Sequence, residues 1–91
     1  METERGTHIQ FVPHPPDPTR KTLVWDVENK YGNVRIGVVY WYGTWRKYAF
    51  APVGGTIFEQ VCLREIAEFC ERKTRDHKQQ SQPPAAGFED S

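Results

Sequence analysis

The sequence has no long apolar run. No stretch approaches the roughly 18 residues a membrane span needs, and the mean hydropathy is −0.73. The first residues, Met1–Gly6, are polar and no apolar segment of signal type follows them. A cytoplasmic protein with no membrane contact is the expectation. Cysteine is scarce: Cys62 and Cys70 are the only two. Eight residues apart on one predicted helix, they stand about 12 Å apart along its axis, too far for a mutual disulfide. With no C-x-x-C pair, they read as two small buried apolar side chains in a reducing compartment.

Convergent chemistry is also missing. The three histidines, His8, His14 and His77, fall in segments that read as tails. A metal site or an acid–base pair needs such groups held rigidly together. Gly54-Gly55-Thr56 precedes a helix, but it lacks the glycine spacing and the lysine of a phosphate loop. It reads as a turn into the helix. Asp26 and Glu28 alternate on one strand face as ordinary polar strand positions. The expectation is therefore no enzyme, no catalytic residues, no metal and no cofactor.

Charge weighs against a further class. The formal net charge is zero. Between Arg20 and Phe50 six Lys and Arg (Arg20, Lys21, Lys30, Arg35, Arg46, Lys47) face only Asp26 and Glu28. That excess is mild, well short of a dedicated nucleic-acid binder.

What is present is aromatic. Three Trp, four Tyr and five Phe, most between Trp25 and Phe69, are many for a chain this short. One domain at most is possible, and a domain of this size buries only about 60% of its unfolded surface. It needs extra support, from large rings or from a second chain.

Organisation follows from periodicity. Residues 1–21 carry Pro13, Pro15, Pro16 and Pro18 and read as a flexible arm, in which residues 8–12 alternate weakly enough for an edge strand. Thr22–Asn29 alternates cleanly, with Leu23, Trp25 and Val27 on one side. Tyr31-Gly32-Asn33 is turn chemistry. Val34–Tyr42 is β-branched and aromatic and apolar on both faces, the mark of a central strand. Gly43-Thr44 turns the chain into Trp45–Ala51, and Pro52-Val53-Gly54-Gly55 ends that strand. Thr56 and Glu59 have capping-box spacing, placing a helix start between Thr56 and Gln60. Cys62, Leu63, Ile66, Ala67, Phe69 and Cys70 form its apolar stripe, opposite a solvated face of Arg64, Glu65, Glu68, Glu71, Arg72 and Arg75. Residues 77–91 read as a low-complexity, disordered tail.

The resulting fold class is α+β. A three-stranded antiparallel sheet, four-stranded if residues 8–12 join, is followed by one C-terminal amphipathic helix packed on one face. The folded part is 22–76. One helix covers one face. Gly37, in phase with Val39, lets the helix come close. The other face then holds Val24, Ile36, Val38, Tyr40, Tyr42, Trp45 and Lys47, too apolar and aromatic to be left in water. Three coverings remain open: the N-terminal arm folded back, a second copy in a homodimer, or a partner. A partner is a protein, through hot spots, or, more weakly, a nucleic acid, with Arg35, Arg46 and Lys47 at phosphates and rings under the bases.

The run from Ile36 through Tyr42-Gly43-Thr44-Trp45 to Phe50, followed by Thr56-Ile57-Phe58 and by Cys62-Leu63-Arg64-Glu65-Ile66-Ala67-Glu68-Phe69, resembles small uncharacterised proteins of phages and other mobile elements. The resemblance covers residues 22–78. That group has no assigned activity, so no functional residue carries over. It implies an accessory product of a phage or gene cassette, of a kind that acts by binding a host or defence component. A weaker likeness links the order of elements to three-strand-plus-helix domains that lay their sheet in the DNA major groove. Those carry more Arg and Lys on their strands.

Overall fold

The computed structural model describes residues 2–81, with side chains as far as residue 79. Five strands run in simple meander order: β1 (Glu4–Arg5), β2 (Ile9–Pro13), β3 (Val24–Asn29), β4 (Arg35–Tyr42) and β5 (Lys47–Pro52). All neighbours are antiparallel. One helix, α1 (Gln60–Ser81), follows.

The strand count exceeds the expected three or four, and the correction lies at the N-terminus. Residues 1–21 are not merely an arm. Ile9 and Phe11, two apart on β2, enter the core at 2% and 4% exposure. β2 pairs along its whole length with β3, from Ile9 opposite Asn29 to Pro13 opposite Trp25. Pro13 is tolerated because it ends the strand. β1 is held from the helix: the Glu4 carboxylate accepts hydrogen bonds from Arg72 at 2.8 Å and Lys73 at 2.7 Å.

The core sits between the sheet and α1. It joins Ile9, Phe11, Trp25, Val27, Val39 and Tyr48 to Cys62, Ile66 and Phe69. Phe69 is wholly buried, stacked on Phe11 with ring centroids 3.9 Å apart and edge-on to Trp25 at 5.0 Å. The stripe differs from the periodic reading: Leu63 is 52% exposed and Ala67 is also exposed. The contacting line instead continues through Lys73, Thr74 and His77. Thr74 Oγ1 accepts the Tyr48 N–H at 2.9 Å, and His77 lies 4.3 Å from the Trp41 ring. That line carries the helix past Asp76 into the segment 77–81 expected to be disordered. The rest of that expected tail, 82–91, lies outside the described residues.

Two local rules decide the other differences. Glu59 caps α1: its carbonyl accepts the Leu63 N–H and its Oε1 the Cys62 N–H. Thr56 Oγ1 instead donates to the Val53 carbonyl. Between β4 and β5 the turn occupies residues 43–46, with Arg46 at φ 55°. Trp45 is thus in the turn, and β5 begins at Lys47.

Gly37 is needed, but not for the helix. A Cβ there would lie 2.4 Å from the Phe50 ring and 2.8 Å from the Ala51 carbonyl oxygen. The neighbour filling its space belongs to β5.

Candidate functional site

α1 covers one face of the sheet and the arm extends that sheet sideways, so the opposite face has no covering element among the described residues. Its side chains follow from register. One cross-strand row is Ala49, Tyr40 and Val24; the next is Ala51, Val38, Asp26 and Val12. The row at one end is Lys47 and Tyr42; at the other it is Arg35, Glu28, Gln10 and Arg5. The middle of the face is thus apolar on β4 and β5 and carries the Asp26 carboxylate on β3, and its ends are charged.

Of the residues singled out from sequence, Val38, Tyr40, Tyr42 and Lys47 lie together on this face. Trp45 rises at its edge, 67% exposed, with its ring 4.9 Å from Tyr42. Tyr42 in turn meets Tyr40 edge-on at 6.4 Å. Ile36 does not belong there. The β3–β4 register slips between Val27 and Glu28, leaving Ile36 as the extra residue of a bulge. A bulge rotates its residues out of alternation, and Ile36 packs against the helix-side core.

Arg35, Arg46 and Lys47 are not brought together. Arg35 lies at the Glu28 end, its guanidinium 3.8 Å from the Asp26 carboxylate. Arg46 and Lys47 lie at the other end, about 23 Å away along β4. His14, expected in a tail, adjoins this face: its Nε2 is 2.9 Å from Asp26 Oδ1. Alternation could not have found it, since His14 lies beyond the paired part of β2 and is placed by its N–H to the Val24 carbonyl.

The edges of the sheet are poorly suited to pairing. On the outer edge of β5 the Tyr48 N–H is already taken by Thr74, and Pro52 has no N–H to give. β1 is two residues long. Short strands, proline and capped donors blunt an edge against strand addition.

On the helix side a cleft of about 470 Å³ opens beside Leu23, Trp25 and Tyr48, walled by Glu4, Lys73 and His77. Three of its polar groups, Glu4, Lys73 and Tyr48, are already engaged. Burial pushes the Glu4 carboxyl up, but hydrogen bonds from Lys73 and Arg72 and their charges outweigh that and hold it below the usual range. Tyr48 Oη accepts the Leu23 N–H at 3.1 Å, and burial raises its phenol above the ordinary value. Both cysteines are free thiols. Burial pushes Cys62 up and takes Cys70 to about 11. Among the described residues no cluster of three or more His, Cys, Asp or Glu could hold a metal ion. No helix among them is long and apolar enough to cross a membrane.

The chain is similar to an uncharacterised 9.3 kDa protein of Acholeplasma phage L2. The two are 28% identical over 79 residues, spanning 87% of this chain and all of the phage protein. No family model matches the chain, and no solved structure matches it.

Proposed function

We propose that this chain is a small non-enzymatic accessory protein of mobile-element type that works by association, pairing with a second copy of itself through the open sheet face. The observation that carries this reading is the row pattern. Val24, Val38, Tyr40, Ala49 and Ala51 form an apolar patch on β3–β5, bounded by the Asp26 carboxylate with Val12 beyond it, and the arm that would have covered it is spent in the plane of the sheet. Blunted edges favour contact by the face instead of by strand addition. The likeness to a phage protein over nearly the whole chain suits an accessory role.

Size sets the expected strength. Four strands about 4.8 Å apart and five to eight residues long present on the order of 400 Å² of plane. With side-chain relief this reaches the lower end of specific interfaces. A dimer of micromolar order is expected, visible as a rise in molar mass with concentration in light scattering. Tyr42→Ala and Trp45→Ala remove a half-buried and an exposed ring that lie outside the core, so they should weaken assembly and leave the fold intact. A mass unchanged by both variants, or a monomer at all concentrations, defeats the reading.

A second reading has one specific support: Trp45 stands exposed beside Arg46 and Lys47, an arrangement suited to stacking on a base with phosphates alongside. It places a nucleic acid at the turn end of the face. Binding to single-stranded DNA or RNA at low salt, falling steeply as salt rises, would favour it over self-pairing. No binding at low salt removes it.

A further inference from the structure

The open face is charged asymmetrically, and that asymmetry bears on how two copies meet. Lys47 lies opposite Tyr42 at one end, on β5. Glu28 lies opposite Arg35 at the other end, on β3. Measured from β4, they are one strand to either side and at opposite ends. They therefore occupy diagonal corners, symmetric about a point between Val38 and Tyr40. Lys47 makes no ion pair with a described residue, and Arg46 beside it makes none. Asp26 is engaged by His14 and Arg35. Glu28 accepts only a neutral hydrogen bond, from Gln10 Nε2 at 2.9 Å. Each copy thus offers one cation position, Lys47, and one carboxylate position, Glu28, which stands in a row with Arg35, held by Asp26, and with Arg5 two strands away.

Resting on the self-pairing reading above, we infer that the partner copy sits with its strands reversed. The two-fold axis crosses β4 between Val38 and Tyr40, and Lys47 of each copy meets the partner's Glu28. A two-fold relation repeats every contact, so one complementary pair of corners supplies two contacts. Because the corners are diagonal, the strands of the two copies cross at an angle. Stacked sheets do so naturally, at about 30°. An axis parallel to the strands would instead lay Lys47 over the Val24 end of β3 and Glu28 over Ala51, with no opposite charge at either. Complementary charge selects orientation more strongly than it adds affinity, since like charges brought together are heavily penalised.

The experiment is a charge swap read by sedimentation or light scattering on full-length protein. Lys47→Glu alone sets Glu against Glu at both contacts, and Glu28→Lys alone sets Lys against Lys. Each should raise the dimer dissociation constant by about tenfold or more. Mixing the two variants should restore wild-type affinity as a heterodimer, because both of its contacts again join Lys to Glu. A mixture no tighter than either variant overturns the reversed orientation while a wild-type dimer still stands. A wild type that stays monomeric overturns self-pairing itself. Should either charge variant unfold, K47C and E28C replace them. The mixture is expected to give a cross-linked heterodimer with a short bismaleimide that spans the gap of about 10 Å between stacked sheets, too wide for a direct disulfide, the native Cys62 and Cys70 lying on the helix side of the sheet. A wild-type dimer with no such cross-link overturns the orientation.

Discussion

The Phe11 ring lies flat on the Phe69 ring, with centroids 3.9 Å apart and planes 2° from parallel. Fifty-eight positions separate them in the chain. Phe11→Ala should therefore act as a core truncation and not as loss of a loose arm. A cost of about 3–5 kcal/mol is expected, read as a lowered denaturant midpoint. In a domain this small, that approaches the whole stability. A midpoint within experimental error of wild type would mean that β2 adds nothing to the core.

Gly37→Ala should destabilise without affecting any exposed surface. The added methyl meets the Phe50 ring and also a backbone oxygen, that of Ala51. The ring can turn aside, but the carbonyl is fixed in the β4–β5 ladder. Overpacking of this kind costs about 1–3 kcal/mol. Gly54→Ala, at a position with open space around its Cβ direction, is the control and should be close to neutral.

Acid should loosen the N-terminal strand first. The Glu4 carboxyl is held below its usual range in the folded state. Its contribution is then full above the unfolded carboxyl value and is lost as pH falls through the folded one. Hydrogen exchange at Arg5 and Gln10, which β1 and β2 pair, should quicken as pH falls below about 4.5, after correction for intrinsic exchange. Glu4→Gln should remove that extra quickening. If the variant and wild type respond alike, the clasp does not govern β1.

Both thiols should be slow to react. Burial raises Cys62 and takes Cys70 to about 11, so at neutral pH almost none of Cys70 is the reactive thiolate. Labelling by a thiol reagent at pH 7.5 should run far slower than for free cysteine and speed up on adding denaturant. Prompt labelling of the native protein would show that α1 opens readily from the sheet.

Strand and helix identity were legible where period and propensity agreed. TLVWDVEN and VRIGVVYWY alternate or cluster as strands must, and both became strands. The uncovered second face was legible too, since a single helix cannot cover two. What stayed hidden depended on contacts distant in sequence. Ile9 and Phe11 alternate in only five residues beside a proline cluster, and what makes them core is Phe69, nearly sixty residues on. Ile36 changed sides because a bulge shifts register by one, and nothing in its own composition announces that. Trp45 has strand propensity, yet Arg46 at φ 55° makes it part of a turn. Lys73, Thr74 and His77 lengthen the helix through side-chain contacts that a hydrophobicity pattern does not count. The Glu28–Lys47 diagonal needed the register of three strands before it could be drawn.

The reach from Glu4 to Arg72 and Lys73 has a consequence for synthesis. The first strand to leave the ribosome is fastened by side chains among the later ones. Until Phe69 has cleared the exit tunnel, the sheet lacks its only cover among the described residues and both of its faces are bare. A nascent chain at that stage offers a neighbouring nascent chain two apolar surfaces, and the emergence of α1 leaves just one for pairing. Helix release therefore times assembly, so nascent chains held with β5 outside the tunnel and Phe69 still inside it should mispair, and chains held after the whole helix has emerged should not.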